Sequence, residues 1–551
     1  MDGKGKKLLL LVLVISLAVR LWDIDKPVEI IDESTYYRAG LVYWFNIVNL
    51  DFKRESWMVN EEHPPLAKYI YGFANGAYLF TKHPELISSG YDRALEILGE
   101  EKYVIPGRFF SAFMGALTCG IVFLLGVELF DRKTGLLASL ILCFFPSFIA
   151  HTKLATMDSP VVFFSTVVVY FFVLAMGRKR NNGYYLVAAL FGGLALSSKL
   201  NAILLIALLP IFYHIRYSKD SDYRIWTTWP TYLKLFPLIC FAILFLIWPW
   251  LWSNPVLNFQ HSFLHWSEHQ IPKEYFLGKY SNLPIHYFLV YLPVTTPTLL
   301  MLLLFPAFMK LVQTRDKNIF LVIAWMILIL LFHSPLRMKQ DGVRYILMIY
   351  PPLSLLISVG AWHLSSFISS RLKGIKQANL DLAVGGLLVF YLLISAALIH
   401  PYYLDYYNGL VGGPKGVYEG RLFEFGWFGE GVGESVTYVN ENAPEKSSVA
   451  YLLTQDLAAP KVRNDLDVFG GFPGRTFSQE NNWSFIPSSN QAYESLTQSG
   501  RLPDYLVVNT AYRWNNLEQS RVVEDILEKE YTLEKSFLVD GAPLSQIYRK
   551  K

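Results

Sequence analysis

Apolar residues come in long runs from Leu8 onward, and the runs stop at His400. A helical membrane span takes about 20 mostly apolar residues. On that scale the first part of the chain predicts spans near Leu8–Asp23, Gly107–Phe130, Gly135–Ile149, Pro160–Met176, Tyr184–Ser197 and Ala202–Ile215. Further spans follow near Leu233–Trp252, Ile285–Met309, Ile319–Phe332, Tyr345–Trp362 and Leu380–Ile399. The body is thus a polytopic α-helical membrane protein of about eleven transmembrane helices. Leu66–Phe80 is also apolar, but counting it as a span inverts the charge of every later loop, so it reads as an interfacial amphipathic helix.

After Pro401 the pattern changes. Val432–Asn442 reads as a helix stopped by Ala443-Pro444. Ser448–Leu453 and Tyr505–Val508 are β-branched runs of the buried-strand kind. Val522–Glu530 reads as a helix, and Tyr531–Val539 with Ser545–Tyr548 close a sheet. The chain therefore divides into a membrane body, 1–400, whose first loop (24–106) is long, and a soluble α/β domain, 401–551.

Composition supports the division. Hydrophobic residues make up 53% and charged residues only 17%, against roughly 25% charged in soluble domains. From Pro401 on there are 20 Asp and Glu against 14 Lys and Arg, a net of −6, which leaves +10 on the body. A total of +4 gives no reason to expect nucleic acid as a partner. The three cysteines, Cys119, Cys143 and Cys240, all lie in apolar runs and form no disulfide framework.

Basic residues in short loops mark the cytoplasmic side. Lys4, Lys6 and Lys7 place the N-terminus there, and alternation then puts Arg132-Lys133, Arg178-Lys179-Arg180, Arg216/Lys219/Arg224, Lys310/Arg315/Lys317 and Arg371/Lys373/Lys376 on the same side. The first span has no small-residue cleavage site and reads as an anchor. An odd number of spans leaves the α/β domain outside. The absence of cysteine from that domain favours a prokaryotic cell membrane over the endoplasmic reticulum.

Ionisable residues then stand out on the outer face. The first loop holds Ile31-Asp32-Glu33-Ser34 and Asn60-Glu61-Glu62-His63-Pro64-Pro65-Leu66-Ala67-Lys68. Asp158 opens one span, Lys199 lies in the break Ser198-Lys199-Leu200-Asn201, and Arg344 opens another. Each has a plain structural reading. Acids suit a helix N-terminus, and Lys or Arg can snorkel to head groups. Together, carboxylates and cations at one interface suit chemistry on an anionic lipid head group.

Asp32-Glu33 after the first span, with His63-Pro64-Pro65-Leu66-Ala67-Lys68, resembles the protein O-mannosyltransferases. The wider resemblance is to polyprenyl-phosphate-sugar-dependent integral-membrane glycosyltransferases of the GT-C type, including the lipid A aminoarabinose transferases. It continues through Asp158-Ser159-Pro160, Lys199 and Arg344-Tyr345. Tyr406-Tyr407-Asn408-Gly409-Leu410-Val411-Gly412-Gly413-Pro414-Lys415-Gly416 resembles a segment common in prokaryotic relatives. The resemblance implies transfer of a single sugar, a mannose-like hexose, from a polyprenyl or dolichyl phosphate to a hydroxyl on a protein Ser/Thr, a glycan or a lipid. Eukaryotic protein mannosyltransferases carry an inserted luminal β-trefoil domain for which this chain has no room, which leaves the acceptor open.

Such a reaction needs a carboxylate to take the acceptor's proton. Asp32 is assigned that role, with Glu33 orienting it or the acceptor; the reverse assignment is the alternative. One base attacking opposite the leaving phosphate predicts inversion. Cations stabilise the departing phosphate, and Lys199 and Arg344 come first, followed by His63 and Lys68. Glu62 and Asp158 hold sugar hydroxyls or tie the cations in place. A monophosphate can be neutralised by side chains, so no metal cofactor is required. His261, His265 and His269 recur at helical spacing; they suit a zinc site or an amphipathic helix facing water. The competing function is a transporter or flippase, which places ionisable groups at the midplane and shows a repeat between halves; no repeat is present. An oligosaccharyltransferase calls for a Trp-Trp-Asp type motif, and no Trp-Trp pair occurs. Asn482-Trp483-Ser484 matches the glycosylation tripeptide, which one match in so long a chain does not make informative.

Overall fold

The computed structural model describes residues 2–27, 29–86, 104–177, 182–268, 273–335, 341–372, 375–426, 428–453, 457–460, 462–469, 483–486, 490–498 and 501–551. Arg178-Lys179-Arg180, His269, Lys373 and Asn482 lie outside these residues.

Every apolar segment expected to span is helical. The helices of the body are α1 (Gly3–Leu21), α2 (Ile31–Val48), α3 (Leu66–Lys82), α4 (Val104–Leu129), α5 (Arg132–Cys143), α6 (Pro146–Lys153), α7 (Asp158–Gly177) and α8 (Asn182–Ser198). They continue with α9 (Leu205–Tyr217), α10 (Phe236–Ile247), α11 (Pro255–Glu268), α12 (Tyr287–Thr295), α13 (Leu304–Thr314), α14 (Lys317–His333), α15 (Tyr350–Arg371) and α16 (Gln377–Ile399). Among the described residues, five helices are by themselves long and apolar enough to cross a membrane, and seven if each bent pair counts as one span. The bent pairs are α5 with α6, at 63°, and α12 with the helices of Thr298–Thr314, at 116°. Lysines at its start keep α1 out of that count, and α10 and α14 are short, at 12 and 17 residues. Helix is the form a chain takes in lipid, because each span satisfies its own N–H and C=O groups.

The long first loop folds into two helices. α2 and α3 cross with their backbones in contact: a Cβ on Gly40 would lie 1.9 Å from the Lys68 carbonyl oxygen, and one on Gly72 2.3 Å from the Gly40 carbonyl carbon. Tyr71 and Leu79 of α3 are buried whereas Phe73 and Tyr78 are exposed, so the expected amphipathic helix is present.

The C-terminal domain has the expected α/β character. Its main sheet is built from β3 (Ser448–Leu452), β5 (Asp467–Val468), β7 (Tyr505–Asn509), β8 (Tyr531–Val539) and β9 (Ala542–Lys550), in the order β5-β3-β7-β9-β8. β1 (Lys273–Phe276) and β2 (Lys279–Asn282) form a hairpin between α11 and α12, and β4 (Leu457–Pro460) pairs with β6 (Trp483–Ile486). Alternate residues of β3 and β7 point to opposite faces. Val449, Tyr451 and Val507 meet Val432, Val436 and Val439 of α17 (Val432–Asn442) on one face. On the other, Ala450, Leu452 and Val508 meet Leu496 of α18 (Asn490–Gln498) and Val523 and Leu527 of α19 (Leu517–Glu530). Each fully buried Val or Leu contributes about 1.5–3 kcal/mol, so both faces must be covered.

The domain docks through the segment singled out by resemblance. Asn408 donates from its amide side chain to the carbonyls of Pro293 (2.7 Å) and Thr296 (2.6 Å), and its backbone N–H donates to Val294 (2.9 Å). It thereby adds donors to carbonyls at the sharp bend that ends α12.

Candidate functional site

Four distant segments bring their ionisable residues together. Asp158, the first residue of α7, accepts from Lys199 Nζ at 2.6 Å through Oδ1 and from Arg344 Nε at 2.8 Å through Oδ2. Thr156 Oγ1 donates to the same Oδ2 at 2.9 Å. Lys199 follows the end of α8 in an extended conformation and opens the 3₁₀ turn Leu200–Leu204, which aims its side chain back at Asp158. Its ammonium also lies 4.5 Å from the centre of the Tyr345 ring. Arg344 opens the 3₁₀ turn Arg344–Ile349 that leads into α15. It donates to Asp341 at 3.0 Å through Nη1 and to Asp32 through Nη2.

Three carboxylates thus surround two cations. Asp158, Lys199 and Arg344 are buried, whereas the Asp32 side chain is 31% exposed. Burial raises the Asp341 carboxyl from its ordinary value although Arg344 opposes the shift. The surroundings are poor in water, where charge-assisted hydrogen bonds are strongest.

Glu33 stands next to Asp32 in the first turn of α2 but points elsewhere. Its carboxylate receives Arg108 Nε at 2.8 Å and Nη2 at 2.6 Å, a two-pronged pair, and both side chains are fully buried. The Ala155 N–H (2.8 Å) and the Ile30 N–H (3.2 Å) complete its hydrogen bonds. Arg108 also donates to the carbonyls of Ile24 (3.0 Å) and Pro27 (2.8 Å). The pair ties α2, the end of the first helix and α4 together at the base of Asp32.

The second acidic motif sits beside the cluster. The Asn60 amide donates to Glu62. The His63 ring meets Tyr36 edge-on at 5.8 Å, and Tyr36 is buried one turn after Asp32. Desolvation and the nearby Lys68, Lys199 and Arg344 hold the His63 imidazole well below its ordinary value, so it is neutral. Lys68 turns away from the carboxylates: its Nζ donates to the carbonyls of His63 (2.7 Å) and Asn60. Burial lowers Lys68 to about 7 against the pull of Glu62 and Glu61. His261 and His265 lie on α11, and among the described residues no group of three His, Cys, Asp or Glu is gathered to hold a metal.

Sequence reasoning left Arg108, Asp341 and Tyr36 out of the site. Arg108 carried a readable signal, since a cation inside an apolar run demands a partner. Asp341 gave only its place three residues before Arg344, and Tyr36 none.

Residues 10–263, a little under half of the chain, match the model of the dolichyl-phosphate-mannose-protein mannosyltransferase family. The matched segment contains Asp32, Glu33, Glu62, His63, Lys68, Asp158 and Lys199, and ends before Arg344. No curated protein matches the chain. Among solved structures, ArnT from Cupriavidus metallidurans bound to undecaprenyl phosphate aligns with a TM-score of 0.48 at 15% identity, over 99% of this chain and 98% of that one. The oligosaccharyltransferase AglB from Archaeoglobus fulgidus, in complex with an inhibitory peptide and a dolichol-phosphate, aligns at 0.47 and 14% identity, over 81% of this chain and 62% of its own. The Saccharomyces cerevisiae Pmt1–Pmt2 complex bound to its sugar donor aligns at 0.32 and 16%, over 50% and 38%. The family match makes residues 10–263 of this multi-pass membrane protein similar to a family of glycosyltransferases, the dolichyl-phosphate-mannose-protein mannosyltransferases.

Proposed function

We propose that the enzyme moves one sugar, a mannose-like hexose, from a polyprenyl monophosphate to a hydroxyl of a protein, glycan or lipid acceptor, with inversion. The reaction runs on the outer face of the cell membrane, with the N-terminus inside and the C-terminal domain outside. One observation carries the reading: Asp32 is the half-exposed carboxylate of the cluster, and Lys199 and Arg344 stand behind it, buried and fixed by Asp158.

Asp32 takes the acceptor's proton as its oxygen attacks the anomeric carbon. The bond from that carbon to the phosphate oxygen breaks, and the charge left on the lipid phosphate falls to Lys199 and Arg344. Arg344 gives one N–H each to Asp158, Asp341 and Asp32, and the second N–H on each Nη nitrogen is what it can offer the phosphate. Asp158 holds the two cations, Glu33 positions the Asp32 turn through Arg108, and Glu62, His63 and Lys68 shape the wall beside them. Side chains alone can neutralise a leaving monophosphate, so this reading requires no divalent metal.

In purified enzyme, Asp32→Asn is expected to lower transfer from a polyprenyl-phosphate-linked sugar by about 10²–10⁴-fold at unchanged thermal stability. Transfer that survives in Asp32→Asn removes the base assignment. Saturating EDTA is expected to leave the wild-type rate unchanged, and loss restored by a divalent cation contradicts the metal-free reading.

A further inference from the structure

The turn that presents Arg344 is held from outside the ion cluster. Asp341 and Gly342 both have positive φ, +56° and +59°, a left-handed conformation that glycine, and aspartate more readily than most other residues, can adopt. Three hydrogen bonds hold the turn. The Asp341 N–H donates to Glu274 Oε1 at 2.9 Å, and the Gly342 N–H donates to the Tyr287 hydroxyl oxygen at 2.9 Å. That hydroxyl in turn donates to Glu274 Oε2 at 2.8 Å. With the turn so fixed, Asp341 reaches Arg344 Nη1 at 3.0 Å and, with Asp158 on Nε and Asp32 on Nη2, orients the guanidinium.

Glu274 belongs to β1, and β1 is gripped by the C-terminal domain. The Tyr275 N–H donates to Glu424 Oε1 at 2.7 Å, the Gly278 N–H to the Leu422 carbonyl at 3.2 Å, and the Tyr275 hydroxyl to the Trp514 carbonyl at 3.1 Å. Phe276 forms a bridge with Phe423. Glu274 is 7% exposed and makes no ion pair among the described residues. A buried carboxylate whose two oxygens go to the Asp341 amide and to the hydroxyl holding the Gly342 amide is spent on that turn.

We propose that Glu274, with Tyr287, is a positioning residue for Arg344, and that through it the C-terminal domain sets the affinity of the site for the lipid phosphate. The inference rests on the reading of Arg344 as a phosphate-binding group. It gives the C-terminal domain a task that requires no contact with the acceptor. The domain braces the hairpin, the hairpin braces the turn, and the turn aims the arginine.

The test measures binding of undecaprenyl phosphate to full-length enzyme in detergent, together with the rate of sugar transfer. Glu274→Ala is expected to weaken binding about tenfold and to lower the transfer rate by a similar factor. Glu274→Gln, which keeps an acceptor for the Asp341 N–H, should recover most of both. Arg344→Ala should weaken binding strongly, and adding Glu274→Ala to it should weaken binding no further. A merely structural role predicts equal losses in both backgrounds, and that result would overturn the proposal, as would wild-type binding by Glu274→Ala. If Glu274→Ala does not fold, Tyr287→Phe keeps the buried ring, removes only the hydroxyl that receives Gly342, and is read by the same criteria. Undiminished binding and transfer in Arg344→Ala alone would instead refute the phosphate role of Arg344.

Discussion

Arg108→Ala tests whether Glu33 holds the site or takes part in its chemistry. The substitution removes two hydrogen bonds to Glu33, at 2.8 and 2.6 Å, and two to the carbonyls of Ile24 and Pro27. Glu33 keeps the N–H groups of Ala155 and Ile30 but loses the one cation paired with it among the described residues, in a fully buried site. Breaking one side of a buried pair costs about 3–5 kcal/mol. Glu33→Gln should cost a comparable amount, because it strands the Arg108 charge and sets an amide N–H₂ against a guanidinium N–H. Replacing both partners with uncharged side chains, as Glu33→Gln with Arg108→Met, removes both stranded charges and should recover most of the loss. The assay is thermal unfolding of the two single variants and the double variant in one detergent, with transfer rates measured on the folded fraction. A positioning role predicts that transfer falls and recovers with stability. If Glu33→Gln is as stable as wild type yet inactive, Glu33 acts on the reacting atoms and the argument from the Arg108 pair fails.

Three further outcomes follow from the same geometry. Asp158→Asn leaves Lys199 and Arg344 buried without their shared anion, so it should lose about 3–5 kcal/mol of stability along with activity, whereas the half-exposed Asp32→Asn should lose activity alone; equal melting temperatures for the two would contradict the burial difference. Gly40→Ala places a methyl group 1.9 Å from the Lys68 carbonyl oxygen, so α2 and α3 must separate and both stability and transfer should fall, and wild-type values would show that the crossing is looser than described. Burial raises Glu424 and Glu430 to about 7 from the ordinary 4.5, so the folded state binds protons that the unfolded chain releases. Their contribution is complete below about pH 4.5 and lost as pH rises through about 7, so the C-terminal domain should resist protease better at pH 5 than at pH 8, and Glu424→Gln should flatten that difference.

Much of this was legible in the chain because lipid narrows the choices. Each apolar run became a helix, since no other spanning form satisfies its backbone. In a body so poor in charge, the residues that remain near the ends of helices mark the site, and Asp32, Asp158, Lys199 and Arg344 do meet. The β-branched runs Ser448–Leu452 and Tyr505–Asn509 became neighbouring parallel strands because each is covered on both faces. Pairing was harder to read. Which face a residue occupies follows from its neighbours in sequence, but which partner it meets depends on segments far away. Glu33 and Asp32 are adjacent and identical in kind, yet one is taken by Arg108 and the other by Arg344, 75 and 312 positions away. Lys68 carried the right charge in the right motif and turned inward to two carbonyls of its own loop. Glu274 had no motif at all, and its meaning lies in the amides it receives from a turn at Asp341 and Gly342. A charge that touches the site is marked by its rarity near the bilayer. A charge that holds the site in place, as Arg108 and Glu274 do, is recognised only by what it satisfies.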